Sequence, residues 1–225
     1  MWVAVVMRVS VTIYSGYMYL GSPADLRRRF RTGRPCLDLV HTGGEGALAR
    51  WEIVHSPDDL GRLLGVVLGL PPLPADEADL AAMRPLRTAM THLAYGLAAS
   101  GNPRPADGDA VGRLVDELAA GAPRPADIAV LNAAAAAPPL VPALRPEGSG
   151  SRVVDPTAAA ALATIARDAV DLFGGPLAQR IRVCDAEDCG LLFVDTSRPG
   201  RRRWCSMERC GNRAKIRTHR ARRSG

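Results

Sequence analysis

Aromatic residues and lysine are scarce in this 225-residue sequence, and both shortages limit how it can be interpreted. Phe, Trp and Tyr make up 4% of the chain against 47% hydrophobic residues, so the core has to be packed mainly from aliphatic side chains. Lys215 is the only lysine beside 28 arginines, a bias typical of a GC-rich genome. The places where arginines cluster therefore carry more information than their number.

Long apolar runs are also missing. No uninterrupted apolar stretch reaches the roughly eighteen residues of a membrane-spanning helix, so no membrane partner is expected. Arg8 divides the apolar N-terminal stretch, no basic residue precedes it and no small-residue cleavage site follows, which argues against a signal peptide. We therefore expect a cytoplasmic, nucleoid-associated protein. In a reducing compartment, clustered cysteines are more often a metal site than disulfides.

Recognisable catalytic patterns are absent from residues 30–180. His41, His55 and His92 are isolated in the sequence, and the glycine-rich residues 43–46 match neither the phosphate-binding loop nor the dinucleotide-binding fingerprint. We therefore expect no enzymatic activity. An enzyme would become the better interpretation if a pocket gathered ionisable side chains around His41 or Glu45.

Four of the five cysteines lie near the C-terminus as two C-x4-C pairs, namely Cys184, Cys189, Cys205 and Cys210. At this spacing four thiolates can close a tetrahedral shell around a structural zinc ion. A disulfide or redox role is the alternative. The spacing differs from the common ferredoxin patterns, and four cysteine ligands would leave a zinc ion no open position for catalysis. Cys36, far from the others, is expected to be a small buried hydrophobic residue.

Positive charge is concentrated around the second cysteine pair. Residues 197–225 contain eleven Arg or Lys residues and one acid, so this segment carries +10 while the rest of the chain carries −4. Such a segment is expected to bind a polyanion. Arginine can bind phosphate with two hydrogen bonds or reach guanine in the major groove of DNA. The candidate nucleic-acid contacts are Arg201, Arg203, Arg213, Lys215, Arg217, Arg220, Arg222 and Arg223.

Two plainer interpretations of this charge stay open. A basic C-terminal helix is often only a solvated surface. One arginine of the 201–203 run can pack against the cysteine module instead of binding a partner, because neighbouring side chains of an extended segment alternate in direction. Trp204, beside a cysteine, is expected in the small core of the module rather than as a platform for stacking bases.

Local sequence signals predict a mainly helical body. Ser56, followed by a proline and two aspartates, marks a helix start, and this helix should end near Gly69. Apolar spacing predicts a second helix over about residues 75–99, which Pro85 should kink or divide. Two further segments are expected to be helical, the first of them a short helix or turn: residues 111–120 and 157–173.

Extended structure is expected in only a few places. Val3 to Ile13 shows the alternation of a strand, and Cys36 to Val40 is either a buried strand or the start of a helix. Prolines and glycines in residues 142–150 are typical of an exposed loop. Near the cysteines, Leu191–Val194 and Arg201–Trp204 are predicted to be two short strands joined by a turn.

The end of the chain is expected to be helical. Ser206 is placed to cap a helix that begins at Met207, with Cys210 in its first turns. A knuckle, a hairpin and a helix in this order are treble-clef-like. The sequence therefore predicts an α+β fold, with a mainly helical N-terminal domain that has a short β element and a small C-terminal treble-clef-like zinc finger.

Two longer motifs resemble known families. Asp195–Arg198, Arg201–Met207 and Cys210–Lys215 closely resemble the CGNR zinc finger. Residues 33–42, GRPCLDLVHT, together with Leu86-Arg87, resemble the ABATE domain, which commonly precedes this finger and is associated with stress-induced transcription regulation. His41 stands where the ABATE pattern usually has Asn.

The resemblance implies a domain organisation and a function. It implies an ABATE-like domain over 30–176 and a CGNR-type zinc finger with a basic C-terminal helix over 177–225. It leaves residues 1–29 as an N-terminal extension without an assigned role. It also implies zinc on the four clustered cysteines and a transcription regulator that binds DNA through the finger. The ABATE-like domain is expected to sense a small-molecule ligand or to form a homodimer. The alternative is a zinc-stabilised module that binds RNA or protein without sequence-specific DNA binding.

Overall fold

The computed structural model describes residues 13–14, 17–30, 32–101, 110–186 and 189–217. The N-terminal part is mainly helical, with the helices α1 (Pro23–Arg29), α2 (Pro35–Val40), α3 (Pro57–Leu68), α4 (Glu77–Gly101), α5 (Ala110–Ala119), α6 (Pro125–Ala136) and α7 (Ala158–Gly174). Short 3-10 helices cover Gly46–Trp51 and Ala178–Arg180. No helix within these ranges is both long and apolar enough to cross a membrane.

The strands form small antiparallel pairs rather than one sheet. Strand β1 (Ile13–Tyr14) pairs with β2 (Tyr17–Met18), β3 (Val141–Leu144) with β4 (Ser151–Val154), and β5 (Ile181–Val183) with β6 (Leu192–Val194). At the C-terminal end, Met207–Gly211 forms a π-helical turn, and residues 212–217 continue as α-helix. The predicted α+β class, with a mainly helical N-terminal part, is therefore confirmed.

Capping side chains set the helix boundaries, as the sequence predicts. The Ser56 hydroxyl accepts a hydrogen bond from the Asp59 amide at 3.2 Å, and Gly69, with φ of 68°, ends α3 in the left-handed conformation that glycine adopts easily. The Thr157 hydroxyl caps α7 in the same way, at 3.2 Å from the amide nitrogen of Ala160. Both helices are thus confirmed close to their predicted limits.

Helix α4 is the central element of the body. Its Leu80, Met83, Leu86 and Met90 are buried, and it packs against α2, α5, α6, α7 and β5. Pro85 does not divide it, because the helix continues to Gly101. A proline inside a helix costs one backbone hydrogen bond, but the packing of neighbouring elements against α4 keeps the helix together.

The N-terminal segment contributes to the same core. Leu20 and Leu26 are almost completely buried, and Ser22 and Asp25 cap α1 reciprocally. Of the strand expected over Val3 to Ile13, only its last residue lies among the described residues, in β1. Cys36 to Val40 is helical, in α2, and Cys36 is fully buried as predicted.

Two expectations about extended structure are wrong. Residues 142–150 are not all loop, because Val141–Leu144 pairs with Ser151–Val154 in an exposed hairpin. Pro142 is tolerated in this two-stranded ribbon because an edge strand does not need every N–H, and Gly148 and Gly150 supply the positive φ angles of the turn.

Arg201–Trp204 is the second exception. It forms no strand with β6, because β6 pairs with β5, so the hairpin encloses the first cysteine pair instead of following it. The Arg202 amide donates to the Asp195 carboxylate at 2.8 Å, and the Arg203 carbonyl accepts from the Asp185 amide at 2.9 Å. These contacts satisfy the backbone groups that a strand ladder would otherwise use.

The hairpin β5–β6 packs into the core of the body. Four of its aliphatic side chains belong to the same buried cluster as the helices, namely Ile181, Val183, Leu192 and Val194. Burying each contributes about 1.5–3 kcal/mol. The hairpin that leads into the cysteine cluster is therefore anchored in the helical body.

Candidate metal centre and nucleic-acid interface

Turns at both ends of the cysteine region bring the four thiols together. Cys184 follows β5, and its amide donates to the Leu191 carbonyl at 2.9 Å. Cys189 closes the first knuckle by donating to the Ala186 carbonyl at 2.9 Å. Cys205 directly precedes Ser206, the residue that caps the π-helical turn, and Cys210 lies inside that turn.

The sulfur atoms have the spacing of a tetrahedral metal site. All four Sγ atoms lie within 4.8 Å of one another, and every cysteine is buried. Cys205 Sγ lies 3.8 Å from Cys189 Sγ and 3.6 Å from Cys210 Sγ. Zinc–sulfur bonds of about 2.3 Å in a tetrahedron place the sulfurs about 3.8 Å apart. The four cysteines therefore fit a four-coordinate thiolate-bound metal.

A small apolar cluster surrounds the sulfurs. Phe193 is fully buried against them, and Trp204 packs on the same cluster, as the sequence predicts. This cluster contains few residues and is separate from the main core. So small a core contributes little folding free energy, and a bound metal would supply much of the rest.

The thiols interact strongly with one another. Hydrogen bonding with Cys184 and the other thiols, together with burial, raises the pKa of Cys189. Hydrogen bonds from the neighbouring thiols lower the pKa of Cys210, whose sulfur also accepts a hydrogen bond from Arg213 at 3.4 Å. Four thiolates this close repel one another, so a bound dication is needed for all four to stay deprotonated.

Asp195 organises the turn over residues 195–200. Its side chain is fully buried, and it accepts hydrogen bonds from the Ser197 hydroxyl at 2.6 Å and the Arg202 amide at 2.8 Å. Burial alone would raise the pKa of Asp195, but these hydrogen bonds and the Arg182 guanidinium lower it. The Arg182 guanidinium also donates to the Gly200 carbonyl at 2.8 Å. The turn is therefore held by a buried charge and does not depend on a partner.

Arg202 is the arginine of its run that packs against the module. Its guanidinium lies 4.6 Å from the centre of the Phe193 ring and donates to the carbonyls of Trp204 and Cys205. These contacts use its donors inside the module. The sequence left open which of the three arginines packs inward, and the structure identifies this one.

The candidate nucleic-acid contacts differ in how strongly the chain itself holds them. The side chains of Arg201 and Lys215 are exposed and make no hydrogen bond or ion pair with the described residues. Arg203 Nε lies 2.8 Å from the Asp185 carboxylate, although its side chain stays 62% exposed. Arg213 is half-buried and donates to the Arg209 carbonyl at 3.1 Å.

The remaining candidates lie at the end of the chain. Arg217 is partly buried in the terminal helical residues, while Arg220, Arg222 and Arg223 lie outside the described residues. Two further arginines at the module surface escaped the sequence prediction. Arg198 is exposed on the turn that Asp195 holds, and Arg209 lies in the π-helical turn. Both lie in the basic segment 197–225, so a prediction made from charge alone would have included them among the candidate contacts.

Residues of the body hold the knuckle in place, and sequence reasoning did not find this role. Tyr95 of α4 donates its hydroxyl to the Gly190 carbonyl at 2.8 Å, directly after Cys189. His41 Nε2 accepts the Leu192 amide at 2.8 Å, and the Thr32 carbonyl accepts the Val194 amide at 3.0 Å. Only the three-dimensional packing links these positions, which are up to 162 residues apart.

His55 and His92 also have polar neighbours. His55 Nε2 lies 2.9 Å from the Met18 carbonyl, and His92 Nδ1 lies 2.9 Å from the Asp127 carboxylate. His92 lines a cavity of about 310 Å³ whose wall also includes Glu45, Glu117 and Arg124. Ionisable groups gathered around Glu45 are the feature that would favour an enzymatic interpretation of the chain. Among the described residues no serine or cysteine lines the cavity, so this part of the chain offers polar binding groups without a serine or cysteine nucleophile.

Family models match most of the chain. Residues 33–176 match the ABATE model, described as "Putative stress-induced transcription regulator", and residues 180–223 match the CGNR zinc finger. No curated protein matches the chain. These matches confirm the resemblance that the two sequence motifs indicate.

Proposed function

Because the chain belongs to the ABATE family and ends in a CGNR zinc finger, we propose that it is a transcription regulator that binds duplex DNA through this finger. The observation that carries the proposal is the pair of exposed cations, Arg201 and Lys215, beside a buried cluster of four thiols. Neither cation has a partner among the described residues, so both are available for phosphate.

Zinc on Cys184, Cys189, Cys205 and Cys210 is the metal that this proposal requires. Soft thiolate ligands in a closed four-coordinate site suit structural zinc. Bound there, the metal would supply a cross-link between the β5–β6 knuckle and the turn that starts the basic helix. The Ser206 hydroxyl, which accepts the Arg209 amide at 3.4 Å, orients the first turn of that helix.

The two exposed cations, Arg201 and Lys215, contribute through their positions and their charge. Arg201 extends from the segment after the turn that Asp195 holds, while Lys215 belongs to the helix that follows Cys210. Two cations on separate elements of one module can contact phosphates on both sides of a groove. A single finger contacts few base pairs, so sequence specificity would come from a homodimer or from DNA shape.

The test is DNA binding by the zinc-loaded full chain, measured by fluorescence anisotropy before and after removal of zinc by a chelator. We expect specific binding that falls steeply with salt and is lost on chelation. Selection from a random duplex pool should return an enriched sequence. Specific binding that survives chelation, or a selection that enriches nothing, would contradict the proposal and favour the RNA- or protein-binding alternative.

Homodimer formation can be tested in the same preparation. Light scattering of the zinc-loaded chain, with and without the selected duplex, gives the number of chains per complex. An enriched site made of two half-sites should bind two chains. A single chain bound to a site without internal symmetry would leave DNA shape as the source of specificity.

A further inference from the structure

The cavity around Glu45 lies between four parts of the body. Its wall is formed by residues 44–48, where a loop enters the 3-10 helix, the Thr88–His92 face of α4, the end of α5 and Arg124, which directly precedes α6. Its volume of about 310 Å³ is at the small end of the range for ligand sites. A metabolite of modest size is therefore the kind of molecule that it can hold.

Glycines allow the loop beside the cavity to approach Glu52 closely. Gly43 and Gly44 have φ angles of 129° and 158°, and a Cβ on Gly43 would lie 2.8 Å from the Glu52 backbone nitrogen. Only glycine fits at such a close approach. The Glu52 carboxylate in turn binds Arg87 and accepts the amides of Ile53 and Val54. The loop is thus fixed against a buried ion pair.

The polar groups in the wall carry charges of both signs. Arg124 is partly buried and donates to the Ala120 carbonyl at 2.7 Å, and its Nη1 lies 3.1 Å from His92 Nδ1. These contacts leave further N–H donors of the guanidinium available for a carboxylate. Glu45 and Glu117 are exposed carboxylates of the same cavity. A molecule with an anionic and a cationic group complements this wall.

Two helices connect the cavity with the metal centre. Thr88, His92 and Tyr95 follow one face of α4, and the Tyr95 hydroxyl binds the Gly190 carbonyl at 2.8 Å. Helix α5 lines the cavity at Leu118, and a Cβ on Gly190 would lie 3.2 Å from Val111 Cγ1 of the same helix. The cavity and the zinc knuckle therefore contact the same two rigid elements.

From this arrangement we propose that the cavity is an effector site for a small zwitterion of amino-acid type, whose binding alters DNA affinity through α4 and α5. Arg124 binds the carboxylate of the effector, and Glu45 and Glu117 together bind its ammonium group. The effect on DNA rests on the proposed function, whereas binding in the cavity does not.

Binding is tested by calorimetry on the zinc-loaded full chain, without DNA. The probes are the proteinogenic L-amino acids, the matching carboxylates that lack the amine, and the matching amines that lack the carboxylate. We expect one or a few amino acids to bind and both sets of truncated analogues to bind at least about tenfold more weakly. No binding by any amino acid, or equal binding by its truncated analogues, would overturn the proposal.

Variants locate the site. Arg124→Gln and Glu45→Gln should each weaken binding about tenfold, while Arg145→Gln, on the exposed β3–β4 hairpin, should leave it unchanged. Glu45 lies in an exposed loop, so Glu45→Gln tests the site even if Arg124→Gln fails to fold. Unchanged affinity in a folded Arg124→Gln protein would contradict the assignment.

Coupling is tested by repeating the DNA titration with the bound amino acid at saturation. We expect a change in DNA affinity of at least about fivefold in the wild-type chain. In Tyr95→Phe, which keeps the ring but lacks the hydroxyl, the amino acid should bind as before and the change in DNA affinity should shrink. An unchanged DNA affinity in the wild-type chain would overturn the coupling. Absence of any DNA binding would instead refute the proposed function and leave the calorimetric result standing.

Discussion

Single side chains in this protein often act by completing a hydrogen bond that another segment needs. His41 is an example, because its Nε2 accepts the buried amide of Leu192 from the β5–β6 hairpin that encloses the first cysteine pair. No sequence pattern predicts this contact, since an isolated histidine carries no information about a strand 151 residues away. Because Nε2 accepts a hydrogen bond in this contact, it carries no hydrogen itself, and this fixes the tautomer of the ring.

His41→Ala should therefore destabilise the protein. The Leu192 amide would lose its acceptor in a buried environment, which costs about 1–3 kcal/mol of unfolding free energy. Urea denaturation of the zinc-loaded chain measures this loss. His55→Ala is the matched control, because His55 is exposed and its contact with the Met18 carbonyl lies at the surface. Equal effects of the two changes would contradict the role assigned to His41.

Asp38 gives a prediction about pH. Burial raises the pKa of Asp38 to about 6, although hydrogen bonds from Thr32 lower it in part. A raised pKa in the folded state means that protonation favours folding, so this residue adds stability at low pH and that stability is lost as pH rises through about 6.

Asp38→Asn should remove that dependence. Between pH 5 and pH 7 the wild-type chain should lose about 1 kcal/mol of unfolding free energy relative to the variant. Urea denaturation of both zinc-loaded proteins at several pH values measures the difference, and protonation of the cysteines affects both equally. A difference that stays constant with pH would show that Asp38 has an ordinary pKa.

At the scale of elements, capping residues and apolar spacing were sufficient to predict the main helices. Ser56 and Gly69 define α3 because caps act within one turn. The partners of strands could not be predicted in this way. Whether β6 pairs with Ile181–Val183 or with Arg201–Trp204 depends on which backbone groups Asp195 and Asp185 occupy, and these contacts exist only in the folded chain.

The basic elements give a prediction about DNA affinity. Arg201→Gln and Lys215→Gln should each remove one phosphate contact, weakening binding severalfold and reducing the slope of log affinity against log salt by about 0.9. Anisotropy titrations between low and physiological salt measure both effects. Arg145→Gln makes the same charge change on the β3–β4 hairpin and should leave the slope as it is. If the slope is unchanged in both finger variants, DNA binds to a surface that includes neither Arg201 nor Lys215.

For the whole molecule, the sequence motifs identified the families and the four candidate ligands, because cysteine spacing and the CGNR motif are local. What they missed is how the finger joins the body. Ile181, Val183, Leu192 and Val194 lie in the core of the helical domain, and Tyr95 and Thr32 bind the segment that contains them. The chain is therefore expected to unfold as one unit that includes the first cysteine pair.

Loss of zinc should consequently lower the stability of the helical body as well as that of the finger. Cys205→Ser, which removes one of the four clustered thiols, should lower the thermal midpoint of the whole chain and leave a single transition. Calorimetry of the wild-type and variant chains measures this, and Cys36→Ser, at a buried cysteine outside the cluster, shows the effect of a buried hydroxyl alone. Two separate transitions in the wild-type chain would mean that body and finger unfold independently.

The shared core has a practical consequence for engineering. The finger could be transplanted onto another protein as a fragment cut at residue 177. In that fragment the hairpin would expose four aliphatic side chains that the helical body buries, namely Ile181, Val183, Leu192 and Val194. Exposed apolar strands of this kind promote aggregation. Grafting would need polar replacements at those positions, or else the transfer of α4 along with the finger. Without either change, chimaeric proteins joined between the ABATE match and the finger match would be insoluble.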